Sequence, residues 1–195
     1  MRDRVPVLNV PLGPWLTEEM WRKAENRNRG HRGDLAVDRR RGGVELHWSG
    51  VLGEYAVASV LGRDYSEVRD DQPRGDRGVD FVVNGKTVQV KGTPTHTSEY
   101  LLVADHHLEG GSFHADVAVA CRPMARLSVP PPEGDCHWMQ IYGWTTREAF
   151  RAGCEPFPLG TSGFSVHATA LWGPDHLWWW LWDQESPMPR GGMPS

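Results

Sequence analysis

The chain has 195 residues, 39% apolar and 24% charged, enough for one domain with its own core and room for an extension. Its formal net charge of −4 counts against indiscriminate binding to nucleic acid, because phosphate contacts need cations. No apolar run approaches the roughly 18–20 residues of a membrane helix, and the N-terminal MRDRVPVLNVP lacks a secretory pattern. Cys121, Cys136 and Cys154 are odd in number and scattered, without C-x-x-C spacing. They fit buried free thiols in a reducing cytoplasm better than a disulfide framework or a zinc site.

After an extended lead-in over residues 5–14, Thr17 is expected to cap a short helix running to about Asn28, with Leu16, Met20 and Ala24 at helical spacing. Between Arg22 and Arg41, eight basic residues face only Glu25, Asp34 and Asp38, a local excess able to follow a phosphate backbone or to form a solvated arm. Ser49 is expected to cap a second helix, Gly50 to Leu61, stopped by Gly62. This helix is apolar nearly all round and carries a single charge, Glu54, on an inward stripe. A carboxylate there costs several kcal/mol, on the order of the desolvation penalty, unless it meets a cation, a metal or donors.

A strand is expected at 65–69, then a polar loop, then the stretch GVDFVVNGKTVQVKG. Asn84-Gly85 between alternating apolar residues is a strong signal for a two-residue type I′ hairpin. That register pairs Val83 with Lys86, Phe81 with Val88 and Asp80 with Gln89. Alternation then puts Asp80, Thr87, Gln89 and Lys91 on one face and Val79, Phe81, Val88 and Val90 on the other. Two oxygen-bearing side chains and an ammonium converge on one patch. Lysine is scarce, with only Lys23, Lys86 and Lys91 in the chain.

Further strands are expected at 100–103, 116–121, 137–142 and 164–171. Thr145 with Glu148 suggests a capping box for a helix over 146–152. The run LWWWLW is either helix or strand, most simply a lid on the core, with base stacking as the sharper alternative. Thr93, Thr95, Thr97, Ser98 and His106-His107 form a polar stretch just past Lys91.

An acid-bearing helix, then Asp80 and Gln89-Val90-Lys91 on a hairpin, resembles the PD-(D/E)xK nuclease superfamily, the restriction-endonuclease-like fold. The resemblance covers roughly residues 47–152; YGWTTREAF after a late strand also fits it. Val79 stands where the name-giving proline would be, and Gln89 replaces the usual second acid, as in a QxK variant. The resemblance implies an α/β fold with a mixed central sheet flanked by helices. It also implies a nuclease domain over 44–185, preceded by an extension over 1–43 and followed by a tail over 186–195. The implied activity is metal-dependent hydrolysis of DNA, with Mg²⁺ as the cofactor and Mn²⁺ as a substitute. Asp80, Gln89, Lys91 and Glu54 would be catalytic, and Asp80, Glu54, Gln89 and the Val90 carbonyl would be the metal ligands. Arg39, Arg40, Arg41, Lys86 and Thr93 would contact DNA. The expected setting is a cytoplasmic protein of bacterial or phage origin without a membrane anchor, and a homodimer fits although no interface is legible. The alternative is a catalytically silent relative that binds nucleic acid or a protein partner.

Overall fold

A computed structural model describes residues 7–30, 43–64, 78–103, 113–157 and 163–182. The fold is mixed α/β. Its centre is a five-stranded mixed sheet of β1 (Leu8–Leu12), β2 (Phe81–Val83), β3 (Lys86–Gly92), β5 (Val117–Pro123) and β6 (His137–Thr146). The strands lie in the order β1-β6-β5-β3-β2. β3 and β5 are parallel; β2 with β3, β5 with β6 and β1 with β6 are antiparallel. A second sheet, β4 (Tyr100–Val103), β8 (Phe164–His167) and β7 (Glu155–Pro156), covers the other side of the core.

The two faces of the central sheet bury different partners because β5 alternates. Val117, Val119 and Cys121 point into the larger cluster, with Val88, Val90 and the helices α1 (Pro14–Gly30) and α2 (Gly43–Val60). Ala118 and Ala120 point into the smaller one, beside Leu101, Val103, Phe113, Tyr142 and Phe150. Leu16, Met20 and Ala24 of α1 are fully buried in the larger cluster, and β1 completes the sheet. The boundary expected at residue 43 therefore divides no core. No helix among the described residues is long and apolar enough to cross a membrane.

Helix α2 begins at Gly43, seven residues before the expected start. Ser49 is not its cap; its hydroxyl donates to the Leu46 carbonyl at 2.9 Å, the i−3 back-bond of a serine inside a helix. The helix is buried on all sides from Val51 to Ala58, held between α1 and β3. At its end Gly62 takes a φ of +61°, Arg63 N–H donates to the Ala58 carbonyl, and Gly62 N–H to that of Ser59. This is a Schellman stop, and glycine is needed for the left-handed position. The close approach of α2 to β3 has a steric cause. A Cβ on Gly92 would lie 2.4 Å from the Ser49 carbonyl oxygen and 2.8 Å from Gly50 Cα.

Three further expectations shift. Helix α1 starts at Pro14, a proline suited to a first turn, so Thr17 lies within the helix rather than capping it. Helix α3 (Arg147–Gly153) is capped by Thr146, whose hydroxyl accepts from Ala149 N–H at 3.1 Å; Thr145 and Thr146 are both still paired in the sheet, with Ala118 and Val117. The strand expected over 164–171 stops at His167 and gives way to a 3-10 turn, Ala168–Ala170. The strand expected at 65–69 lies outside the described residues. The tryptophan run is helical, α4 (Pro174–Trp182). Leu177 and Leu181 are buried and Trp178 and Trp180 pack on the core, whereas Trp179 and Trp182 are 72% and 54% exposed.

Candidate functional site at the hairpin

The hairpin forms in the expected register: Val83 pairs with Lys86, Val82 with Thr87 and Phe81 with Val88. Asn84 and Gly85 both take positive φ, 49° and 78°, as a type I′ turn requires. The turn is tied to α4. Asn84 Nδ2 donates to the Leu181 carbonyl at 3.1 Å, and Lys86 Nζ donates to the Trp180 carbonyl while lying 4.0 Å above the Trp180 ring. A cation on the last carbonyls of a helix is well placed. Lys86 thus fastens the hairpin to the lid, where it was expected to contact DNA.

At the other end the ladder breaks. Asp80 N–H donates to the Val88 carbonyl at 2.9 Å, although the residue paired with Val88 is Phe81. Two consecutive residues thus meet one, the arrangement of a β-bulge. Alternation is lost there: Phe81 packs in the larger cluster and Val79 against the smaller. The expectation that Val79 shares a face with Phe81, and that simple alternation puts Asp80 on the Gln89 face, is corrected accordingly. The Asp80 carboxylate sits at the ladder edge instead, its Oδ2 accepting Val90 N–H at 2.5 Å. Val90 is two residues beyond Val88, so its carbonyl faces the same side, just past the end of β2.

Gln89 and Lys91 pair with Ala118 and Ala120 and so project from the face of the smaller cluster. Gln89 is 6% exposed, and its Oε1 is buried without a hydrogen-bond partner among the described residues. A buried acceptor left in this state costs about 1–3 kcal/mol, which makes it a place where a donor or a cation would bind favourably. Thr87 also belongs to this face, but it is used structurally: its N–H and hydroxyl both donate to Asp116 Oδ2 at 2.8 Å, pinning the start of β5.

Glu54 points inward, as its stripe implied, and is 5% exposed. Its partner is Arg27 of α1. Nη1 and Nη2 donate to Oε1 and Oε2 at 2.6 and 2.7 Å, a bidentate pair. Sequence reasoning placed Arg27 only in a basic arm. Two more cations of that arm have local partners, Lys23 with Glu19 at 3.7 Å and Arg29 with Glu25 at 3.6 Å. Arg39, Arg40 and Arg41 lie outside the described residues, as do His106 and His107. The Cys121 thiol, buried beneath α2, is pushed well above its ordinary value by burial first, then by the charges of Asp80 and Glu54. Both carboxylates thus act on one interior region.

Mg²⁺ takes oxygen donors and keeps several waters, so few protein ligands suffice. The Asp80 carboxylate and the Val90 carbonyl at one edge, with the partnerless Gln89 Oε1 one residue away in β3, fit one such ion in donor chemistry. Glu54 does not fit as a direct ligand while Arg27 holds both of its oxygens. Among the described residues no three His, Cys, Asp or Glu side chains group as a metal site.

Past Lys91 the chain lines a pocket of about 310 Å³. Thr93 is in its wall, its N–H donating to the Cys121 carbonyl at 3.1 Å. Comparison of the chain with protein-family models, curated proteins and solved structures finds no match.

Proposed function

We propose that this protein is a metal-dependent nuclease that hydrolyses phosphodiester bonds in DNA, with a restriction-endonuclease-like core and a QxK variant of the PD-(D/E)xK site. The observation that carries the reading is the break between β2 and β3, where the Asp80 carboxylate engages Val90 N–H beside Gln89 and Lys91. The parallel β3–β5 pair and the helices packed over it suit that core.

Hydrolysis needs the growing phosphate charge neutralised, a positioned water and help for the leaving oxygen. A bound Mg²⁺, with Mn²⁺ as a substitute, would neutralise the phosphate and make water a better nucleophile. Asp80 anchors the site, with the Val90 carbonyl and Gln89 Oε1 completing the protein's share. Lys91 offsets charge on the phosphate and orients the attacking water. Replacing an acid by Gln89 removes one negative charge, which favours a single weakly held ion. The Arg27–Glu54 pair supports the structure of this interior and keeps Glu54 out of direct ligation.

The same pair is the observation favouring a second reading, a silent fold relative that binds nucleic acid, since it occupies one of the expected acids. Incubating wild type and Lys91→Ala with plasmid and oligonucleotide DNA, with Mg²⁺, Mn²⁺ or chelator, separates the two. Metal-dependent cleavage lost in Lys91→Ala supports the nuclease. Binding without cleavage by wild type supports the silent relative, and cleavage indifferent to Lys91 removes the mechanism.

A further inference from the structure

The pocket beyond β3 is lined by unlike groups. Lys91, Thr93, Thr95, Thr97 and Ser98 are polar, with the one carboxylate of Glu99 among them. Tyr100, Leu102 and Phe157 make the lining apolar and aromatic as well. The Tyr100 ring meets Phe157 edge-on at 5.6 Å and His167 edge-on at 5.1 Å. The backbone behind this lining is braced from the central sheet. Tyr142 Oη donates to the Tyr100 carbonyl at 2.8 Å, and Arg122 Nη1 donates to the Ser98 carbonyl at 2.5 Å. Arg122 itself stacks on the Tyr142 ring at 5.0 Å. Such bracing makes a preformed cavity rather than a gap between loose loops.

A flat group with a polar rim, joined to an anion, matches this combination of ring surface, hydroxyls and ammonium. We propose that the pocket receives one unpaired nucleobase of a DNA strand, next to the phosphate held at Lys91, and so selects single-stranded or frayed DNA over intact duplex. The inference rests on the nuclease reading for the role of Lys91 and adds the substrate class. A base within a duplex enters only after unstacking and unpairing, which carries a free-energy cost. A base already free does not bear that cost. A base gains affinity by stacking on an aromatic side chain, so losing one ring should weaken single-strand binding about tenfold.

The test measures binding with Ca²⁺ in place of Mg²⁺, by anisotropy of a labelled strand, alone or annealed to its complement. Wild type should bind the single strand at least tenfold more tightly than the blunt duplex. Tyr100→Leu and Phe157→Leu should each weaken single-strand binding about tenfold and leave duplex binding unchanged. Thr95→Trp, at an exposed position on the rim, should do the same by filling the pocket without touching the core. Abasic substitutions along the strand probe the same contact with the protein unaltered, and should also cost about tenfold. Equal affinity of wild type for strand and duplex overturns the proposal. So does single-strand affinity indifferent to all three variants and to abasic sites. The nuclease reading fails separately: base-dependent single-strand binding with no Mg²⁺-dependent cleavage removes the activity and leaves the pocket standing.

Discussion

Arg27 and Glu54 lie 27 residues apart in sequence and form the best-defined buried ion pair among the described residues, with side chains 20% and 7% exposed. The two ends are not equivalent. Arg27→Met leaves an ionised carboxylate in an apolar interior, which costs about 3–5 kcal/mol. For a domain of this size that lowers Tm by roughly 6–20 °C. Glu54→Leu leaves an arginine on a long stem able to reach water, and should cost only about 1–2 kcal/mol. The double variant replaces the pair by apolar volume and should sit near wild type, within about 1 kcal/mol. The assay is urea unfolding of the three variants at pH 7 and again under acid conditions. The penalty in Arg27→Met belongs to the ionised carboxylate. It therefore shrinks as pH falls toward about 4.3 and is gone below that, where the glutamate is protonated in the unfolded chain and, lacking its cation, in the folded chain as well. If Arg27→Met costs less than about 1 kcal/mol at pH 7, or the double variant is no better than Arg27→Met, the pairing does not neutralise Glu54. Stabilisation of Arg27→Met by added Mg²⁺ would show that Glu54 takes a metal once released.

Other consequences are quicker to check. Gly92→Ala should cost about 1–3 kcal/mol in a denaturant melt, because its Cβ meets the backbone of Ser49 and Gly50 and the helix must move. Gly50→Ala, with nothing within 4 Å, should gain about 0.5–1 kcal/mol, and equal effects would refute the close approach. Burial holds His137 below its ordinary value near 6.5, with Asp135 opposing, and its ring meets Trp48 edge-on at 5.3 Å. The unfolded chain therefore takes up this proton first as pH falls below about 6.5, and stability declines toward pH 5. His137→Phe should flatten that slope, and an unchanged slope would contradict it. Thiol reagents should label exposed Cys136 first, Cys154 more slowly and buried Cys121 only on unfolding; early labelling of Cys121 would refute its burial.

The parts legible in the sequence are those fixed by local chemistry. Asn-Gly set the turn and register of β2 and β3, and Gly62 set the end of α2. Helix α2 lost its true start because Ser49, a serine inside the helix, imitates a cap. Thr145 and Thr146 are both paired in the sheet, and Thr146 caps because it is the last residue before the helix. The bulge at Asp80 was invisible because it depends on a side chain replacing a ladder partner. The attachments of Glu54 to Arg27 and of Lys86 to Trp180 join residues far apart in the chain, and no spacing rule reaches that far. LWWWLW could not be assigned because a short apolar run carries no period. It serves partly as the expected lid, through Leu177, Leu181 and the inner tryptophans.

Asp80 offers the most direct test of the proposed activity, because Asp80→Asn keeps a carbonyl oxygen for Val90 N–H while removing the charge that would anchor a cation. The measurement is the rate of single-stranded DNA cleavage against Mg²⁺ concentration, for wild type and Asp80→Asn, with matched melting curves. Saturable, Mg²⁺-dependent cleavage by wild type, reduced at least a hundredfold in Asp80→Asn, on the order of losing one charge-stabilising group, is the predicted result. A folded Asp80→Asn that cuts at the wild-type rate, or a wild type that does not cut at any Mg²⁺ concentration, contradicts it.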